Sequence, residues 1–330
     1  MRQGPHDEQR QRWTEGLIRE LGETIVGALG DDDVVEVLLN PDGRIWLDSR
    51  TEGMYDSGSR LLPQEAEAIL ASIAGMLGAQ IDAEHPIIEA ELPLDGSRIE
   101  GMVPPLVASP SFAIRKRATR VFPLSHYIES GSMTVTQAEL LRAAIAERRN
   151  ILISGGTGSG KTTLVNAILD EMVRLGEPSE RFILLEDTVE LQCTAENHTA
   201  LRTTRHVDLA TLVKATMRLN PDRIIIGEVR GREALDLLKA WNTGHPGGCT
   251  TVHANNALAA LQRLDQLAQE AGVPSQRALI ADTVGLVIHI EGGSRGRRVS
   301  ELVRVAGLAG DGSFQLEPTA ARPTEEEEQL

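Results

Sequence analysis

Aromatic residues make up only 3% of the sequence, so a buried core has to rest on leucine, isoleucine, valine and alanine. There are two cysteines, Cys193 and Cys249, far apart and in no CxxC pair. That excludes a disulfide framework and a tetracysteine zinc site, and it fits a reducing cytoplasm. No run approaches the roughly 18 uninterrupted apolar residues of a membrane-spanning helix. The polar start MRQGPHDEQRQRW carries no apolar signal segment. If the protein works at a membrane, it is expected to sit there on a partner. Basic charge is short as well: the formal net charge is −15, which argues against coating DNA non-specifically through its phosphates. No specific DNA binding is expected either. Part of that charge lies in TEEEEQL (Thr324–Leu330), expected to be a solvated, disordered end. No repeat of 20–50 residues is visible.

What is present is an ordinary globular mix, 41% apolar and 25% charged, in 330 residues, long enough for two buried cores. Residues 1–30 have apolar positions near helical spacing, among them Trp13, Leu17, Leu21, Ile25 and Leu29. Val34–Leu39, the turn Asn40-Pro41-Asp42-Gly43 and Ile45–Leu47 predict a hairpin. Pro63 suits the first turn of a helix running to about Ala79, and residues 86–115 read as short strands. The expectation is a small α+β domain over residues 1–117 and a linker over 118–133. After it an α/β domain with a mostly parallel sheet covers 134–318, and an acidic tail 319–330. The parallel sheet follows from alternation: helix Thr136–Arg149, strand Asn150–Ser154, helix Thr162–Leu175, strand Phe182–Leu185, helix Asp208–Leu219, strand Arg223–Gly227, helix Arg232–Asn242 and strand Cys249–Val252.

Between the first of those strands and its helix lies GGTGSGKTT, which holds the spacing Gly155-x4-Gly160-Lys161-Thr162 of a phosphate-binding loop. Phosphates need backbone N–H groups turned toward them, and glycines let a loop turn that way. The candidate nucleotide-binding residues are Gly155, Gly156, Thr157, Gly158, Ser159, Gly160, Lys161, Thr162 and Thr163. The helix that follows adds its positive end. Lys161 would reach the β- and γ-phosphates of ATP, and the Thr162 hydroxyl would ligate Mg²⁺. By chance the four residues at fixed spacing recur in roughly one chain of this length per hundred, and a buried strand before and a helix after make that rarer.

Hydrolysis needs a carboxylate near the γ-phosphate. Glu228 directly follows the apolar Ile224–Gly227, at the sheet edge where open α/β folds place ligands, although Gly227 stands where an aspartate is customary. The cluster Glu186-Asp187-Thr188-Val189-Glu190 follows another strand, and Glu190 is the second candidate base. Candidate metal-side groups are Thr162, Glu186 and Glu228. His253 ends a strand expected beside the loop strand and is a candidate γ-phosphate sensor. His245, in TGHPGG, is read as structural somewhat more than catalytic. No cysteine or carboxylate is spaced to complete a histidine metal site.

Four ordered segments together resemble the secretion ATPases of type II and type IV systems, and specifically the TrbB-type conjugative transfer ATPases. They are GGTGSGKTT, ILLEDTVEL (Ile183–Leu191), MRLNPDRIIIGEVRG (Met217–Gly231) and AWNTGHPGGCTTVHANN (Ala240–Asn256). IRKR (Ile114–Arg117) is similar to the basic segment ending that family's N-terminal domain. The resemblance, over about residues 30–310, implies a RecA-like ATPase domain behind a smaller N-terminal domain, assembled as a homo-hexameric ring. It also implies a peripheral place on the cytoplasmic face of the inner membrane, among the other components of a secretion apparatus, powering pilus assembly or DNA–protein transfer. It casts Glu190 or Glu228 as the base without deciding between them. A RecA-like site is open on one side, where a neighbour commonly supplies positive charge, and Arg115 and Arg218 are the foremost candidates.

Two readings of other classes stand beside the motor: a nucleotide-gated assembly scaffold, and a RecA-type DNA-dependent ATPase. The acid pair Glu190 and Glu228 favours turnover over the scaffold. The acidic balance, with no interleaved aromatic and basic strip, speaks against direct action on DNA.

Overall fold

The computed structural model describes residues 5–117, 121–204, 206–293 and 296–318. The acidic tail expected over 319–330 lies outside them, as do residues 118–120 of the expected linker. The fold is mixed α/β with two sheets, and it divides into two compact units between Arg117 and Ala118.

The first unit opens with α1 (Pro5–Gly30), interrupted at Gly22, whose φ of 73° departs from helix. The expected hairpin forms as β1 (Val34–Leu39) and β2 (Arg44–Ser49), with Leu39 opposite Ile45. β3 (Gly53–Arg60), which the sequence reading missed, is an edge strand with half of its residues exposed. α2 (Pro63–Met76) begins with Pro63 at its first turn, as expected. β4 (Ile87–Glu91), β5 (Arg98–Met102) and β6 (Ser111–Arg115) complete an antiparallel sheet in the order β3-β2-β1-β6-β5-β4. Alternate residues Val37, Leu39, Ile45, Leu47, Ile99, Phe112 and Ile114 bury one face against Leu21 and Ile25 of α1 and Ile69, Leu70 and Ile73 of α2.

In the second unit, part of the expected linker is helical. α3 (Leu124–Glu129) places Leu124 and Tyr127 in the unit's core, a sign that apolar burial outweighed the proline and glycine around it. α4 (Val135–Ala146) starts at Thr134, whose side chain accepts from the Gln137 amide while Gln137 returns the bond. Then come β7 (Asn150–Ser154), α5 (Lys161–Leu175), β8 (Phe182–Glu186), β9 (His198–Arg202), α6 (Leu209–Thr216), β10 (Arg223–Ile226), α7 (Glu233–Asn242) and β11 (Cys249–Val252). Not read from sequence were β9 and the elements that follow β11: α8 (Ala257–Gln269), α9 (Arg277–Thr283), β12 (Val284–Gly293), β13 (Gly296–Leu308) and β14 (Phe314–Pro318).

These strands form one sheet in the order β14-β13-β12-β7-β11-β10-β8-β9. The neighbours from β12 to β9 run parallel, and β13 and β14 are added antiparallel. The run NILIS is buried on both faces, which explains its unbroken apolar character. Ile151 and Ile153 join the core that holds Leu141 of α4 and Leu164 and Ile168 of α5. Leu152 joins the opposite one, with Leu237 and Trp241 of α7 and Leu261 of α8.

Candidate functional site

The parallel strands β7, β11, β10 and β8 end on one edge of the sheet, and the residues that follow them converge. β7 gives way at Gly155 to a loop that becomes α5 at Lys161. Gly160, the residue before the helix, has φ 95°, which L side chains rarely adopt, and no side chain caps the helix start. Gly155 is fixed by crowding instead: a Cβ there would lie 2.4 Å from the Ile290 carbonyl oxygen and 2.4 Å from Ser159 Oγ. The first amides of α5 are left outside the helical ladder, as at any helix start. Gly156, Thr157 and Gly158 are exposed, Ser159 is buried, and Thr162 and Thr163 are half-buried.

Lys161 is buried, and its ammonium donates to the carbonyls of Gly155 at 3.0 Å and Gly156 at 2.8 Å. It also stands 3.3 Å from His253 Nδ1. An ammonium has no acceptor, so Nδ1 is the accepting nitrogen and Nε2 carries the ring hydrogen. That Nε2 donates to Glu228 Oε1 at 3.0 Å. Register brings this about: Val252 of β11 lies opposite Ser154 of β7, so His253 follows beside Gly155. The other Glu228 oxygen, Oε2, accepts from Arg230 Nε at 2.9 Å and Nη2 at 2.7 Å. These hydrogen bonds raise the Arg230 pKa further above its ordinary value. Arg230 Nη1 lies 3.9 Å from Asp187.

Glu186, expected on the metal side, is held differently. It ends β8, is buried, and its Oε1 accepts from the amides of Glu190 at 2.8 Å and Leu191 at 2.7 Å. One of its two carboxylate oxygens is thus engaged by the main chain. Gly227, after the neighbouring strand, lies beside it; a Cβ there would stand 3.4 Å from Glu186 Cγ, in ordinary contact. Asn166 of α5 pins the same turn, donating to the Glu190 carbonyl at 3.1 Å and accepting from the Gln192 amide at 2.9 Å. The Glu190 backbone is thus fixed beside the loop helix; its side chain is half-buried, makes no hydrogen bond or ion pair among the described residues, and lies within the electrostatic reach of Arg230.

Two of the singled-out residues lie at the other edge. Arg218 is exposed between α6 and β10, and a residue ahead of a parallel strand lies at the opposite sheet edge from the loop. It cannot serve the loop of its own unit. His245, ahead of β11, is at that far edge as well, with Nδ1 donating to the Pro221 carbonyl at 2.7 Å. Arg115 belongs to the first unit, exposed on β6 between Glu36 and Arg98.

One neighbour of the loop was not anticipated. In the β12–β13 hairpin Gly292 pairs with Arg297. The Arg297 side chain crosses Gly160 so closely that a Cβ there would lie 2.8 Å from its Cδ and 3.1 Å from its Nε. The basic run Arg295-Gly296-Arg297-Arg298 was the available signal, but nothing in its spacing pointed to the loop. Among the described residues no group of three or more His, Cys, Asp or Glu side chains is arranged to hold a metal ion.

Residues 44–291 match the type II/IV secretion system protein family. The conjugal transfer protein TrbB of Rhizobium radiobacter is 51% identical over 287 residues, 87% of this chain and 88% of its own length. The probable conjugal transfer protein TrbB of Sinorhizobium fredii is 48% identical over 313 residues, 95% of each chain. Among solved structures, the ATPase DotB of Legionella pneumophila is similar in fold, with TM-score 0.62 at 21% identity over 84% of this chain and 79% of that one. Sequence and fold agree, and this chain belongs to the type II/IV secretion system protein family.

Proposed function

We propose that this chain is the ATP-hydrolysing motor of a conjugative transfer or type IV secretion apparatus. The observation that carries the reading is the linkage of Lys161, His253 and Glu228 across three parallel strands at the start of α5. In this reading the second unit is a RecA-like ATPase domain and the first its N-terminal domain. The amides from Gly156 to Thr163 cradle the phosphates of ATP, and Lys161 exchanges its loop carbonyls for β- and γ-phosphate oxygens. That exchange leaves His253, which ends β11 beside the loop, as the candidate sensor of bound nucleotide. A water oxygen attacks the γ-phosphorus, the bond to the β–γ bridging oxygen breaks, and ADP leaves. The water's proton passes to a carboxylate, Glu190 or Glu228. A site with no all-protein cage suits Mg²⁺, which binds through one or two protein oxygens and phosphate oxygens; Thr162 and Glu228 would hold it. When bound, it supplies charge neutralisation to the phosphates.

The working form is a homo-hexameric ring in which a neighbour, through Arg115 or Arg218, supplies positive charge to the phosphates. No described helix is long and apolar enough to cross a membrane, and the proposed place is peripheral, on the cytoplasmic face of the inner membrane, through partners. Steady-state phosphate release and equilibrium nucleotide binding test the reading together. Lys161→Ala is expected to lose binding while remaining folded, and wild-type turnover in that variant would refute the site. Glu190→Gln and Glu228→Gln should bind Mg-ATP, with the base variant slower by at least about tenfold, some 1.4 kcal/mol of barrier. A protein that binds ATP without turnover would be a nucleotide-gated scaffold. Turnover that depends on DNA and survives raised salt would favour the DNA-dependent ATPase.

A further inference from the structure

The β12–β13 hairpin lies along the phosphate-binding loop at three points: the Ile290 carbonyl against Gly155, Gly292 against Ser159, and Arg297 against Gly160. At the third, Arg297 lies against Gly160, the residue directly before α5, where the helix end is positive and Lys161 adds charge. The start of a helix favours an anion, and an anion held there would be attracted by the Arg297 guanidinium as well.

We infer that Arg297 is a phosphate-binding residue of the nucleotide site, reaching the phosphate chain from outside the loop motif, across Gly160. The inference rests on the nucleotide reading given above. Gly160 is required by its φ of 95°, and the absence of a Cβ leaves the space that the Arg297 side chain crosses. The planar guanidinium can hold two phosphate oxygens at once, complementing the point charge of Lys161. The hairpin register fixes where the arginine stands, since Arg297 pairs with Gly292, itself packed on Ser159.

The test uses the full chain, with a fluorescent ATP analogue titrated directly and unlabelled ATP, ADP and tripolyphosphate as competitors. Arg297→Ala should weaken ATP and tripolyphosphate alike, by about 10- to 100-fold for a charge-assisted contact. Arg297→Lys should recover only part. Arg297→Met keeps the alkyl packing on Gly160, and should bind as weakly as the alanine variant while melting like wild type. Wild-type affinity in Arg297→Ala, with binding abolished in Lys161→Ala, would overturn this inference and leave the nucleotide site standing. Loss of ATP affinity with tripolyphosphate unchanged would also overturn it, because the contact would then be with the nucleoside. A wild-type protein that binds no phosphate compound would remove the underlying reading.

Discussion

Glu186 offers a quantitative separation between a structural carboxylate and a metal ligand. Its buried Oε1 accepts two main-chain N–H groups, from Glu190 and Leu191. A hydrogen bond to a charged group is worth about 1.5–3 kcal/mol and a neutral one about 0.5–1.5, so Glu186→Gln loses about 1–1.5 per bond. For two bonds that is about 2–3 kcal/mol, the side-chain shape being kept. In a unit of about 200 residues each kcal/mol moves the melting temperature by about 2–4 °C, so the expected fall is about 4–12 °C. Glu186→Ala strands both amides and costs about 2–6 kcal/mol. Calorimetry of the full chain without nucleotide reads this directly. The reasoning is refuted if the glutamine variant melts within about 1 °C of wild type while needing several-fold more Mg²⁺ for turnover. The carboxylate would then serve the metal, and the turn carrying Glu190 would stand without it.

Burial pushes the Cys249 thiol up to about 12 and raises that of Cys193 as well. Iodoacetamide at about pH 8 should therefore leave Cys249 unlabelled in the native protein and label both after denaturation, since the thiolate is the nucleophile; native labelling of Cys249, read by mass spectrometry, would contradict this. For Glu171, burial raises the pKa but hydrogen bonds from Arg174 and Arg142 outweigh it, and the net direction is down. A lowered carboxyl stabilises above its unfolded value, near 4.5, and loses that contribution as pH falls through the folded one. The melting gap between wild type and Glu171→Gln should be full near neutrality and close in acid, and a gap independent of pH would count against the ion pairs.

The loop, its flanking strand and helix, and the first hairpin were legible because their signals are local. NILIS is apolar throughout, Gly155-x4-Gly160-Lys161 has fixed spacing, and an Asp-Gly turn separates Val34–Leu39 from Ile45–Leu47. Elements whose reason for existing is a distant partner were not. β12 owes its place to β7, with Val284 opposite Asn150, and β3 is a half-exposed edge with little apolar pattern to read. Arg218 and His245, close in sequence to motif residues, precede their strands. His253 and Glu228 follow theirs, and in a parallel sheet before and after are opposite edges. Arg297 reaches the loop only through the pairing of β12 with β7, a relation that no local window contains.

The same geometry bears on which carboxylate takes the proton in the proposed reaction. Both Glu228 oxygens already accept hydrogen bonds, from His253 on one side and twice from Arg230 on the other. With both oxygens engaged, Glu228 is placed to orient His253 and Arg230 and to face a metal ion. Glu190 is in the contrary position. Its backbone is fixed by Glu186 and Asn166, while its carboxylate makes no hydrogen bond or ion pair among the described residues. A base needs a lone pair to give and a fixed place from which to give it. On that ground Glu190 is the stronger candidate for the base, and Glu228 for the group that keeps His253 and Arg230 in register with the phosphates.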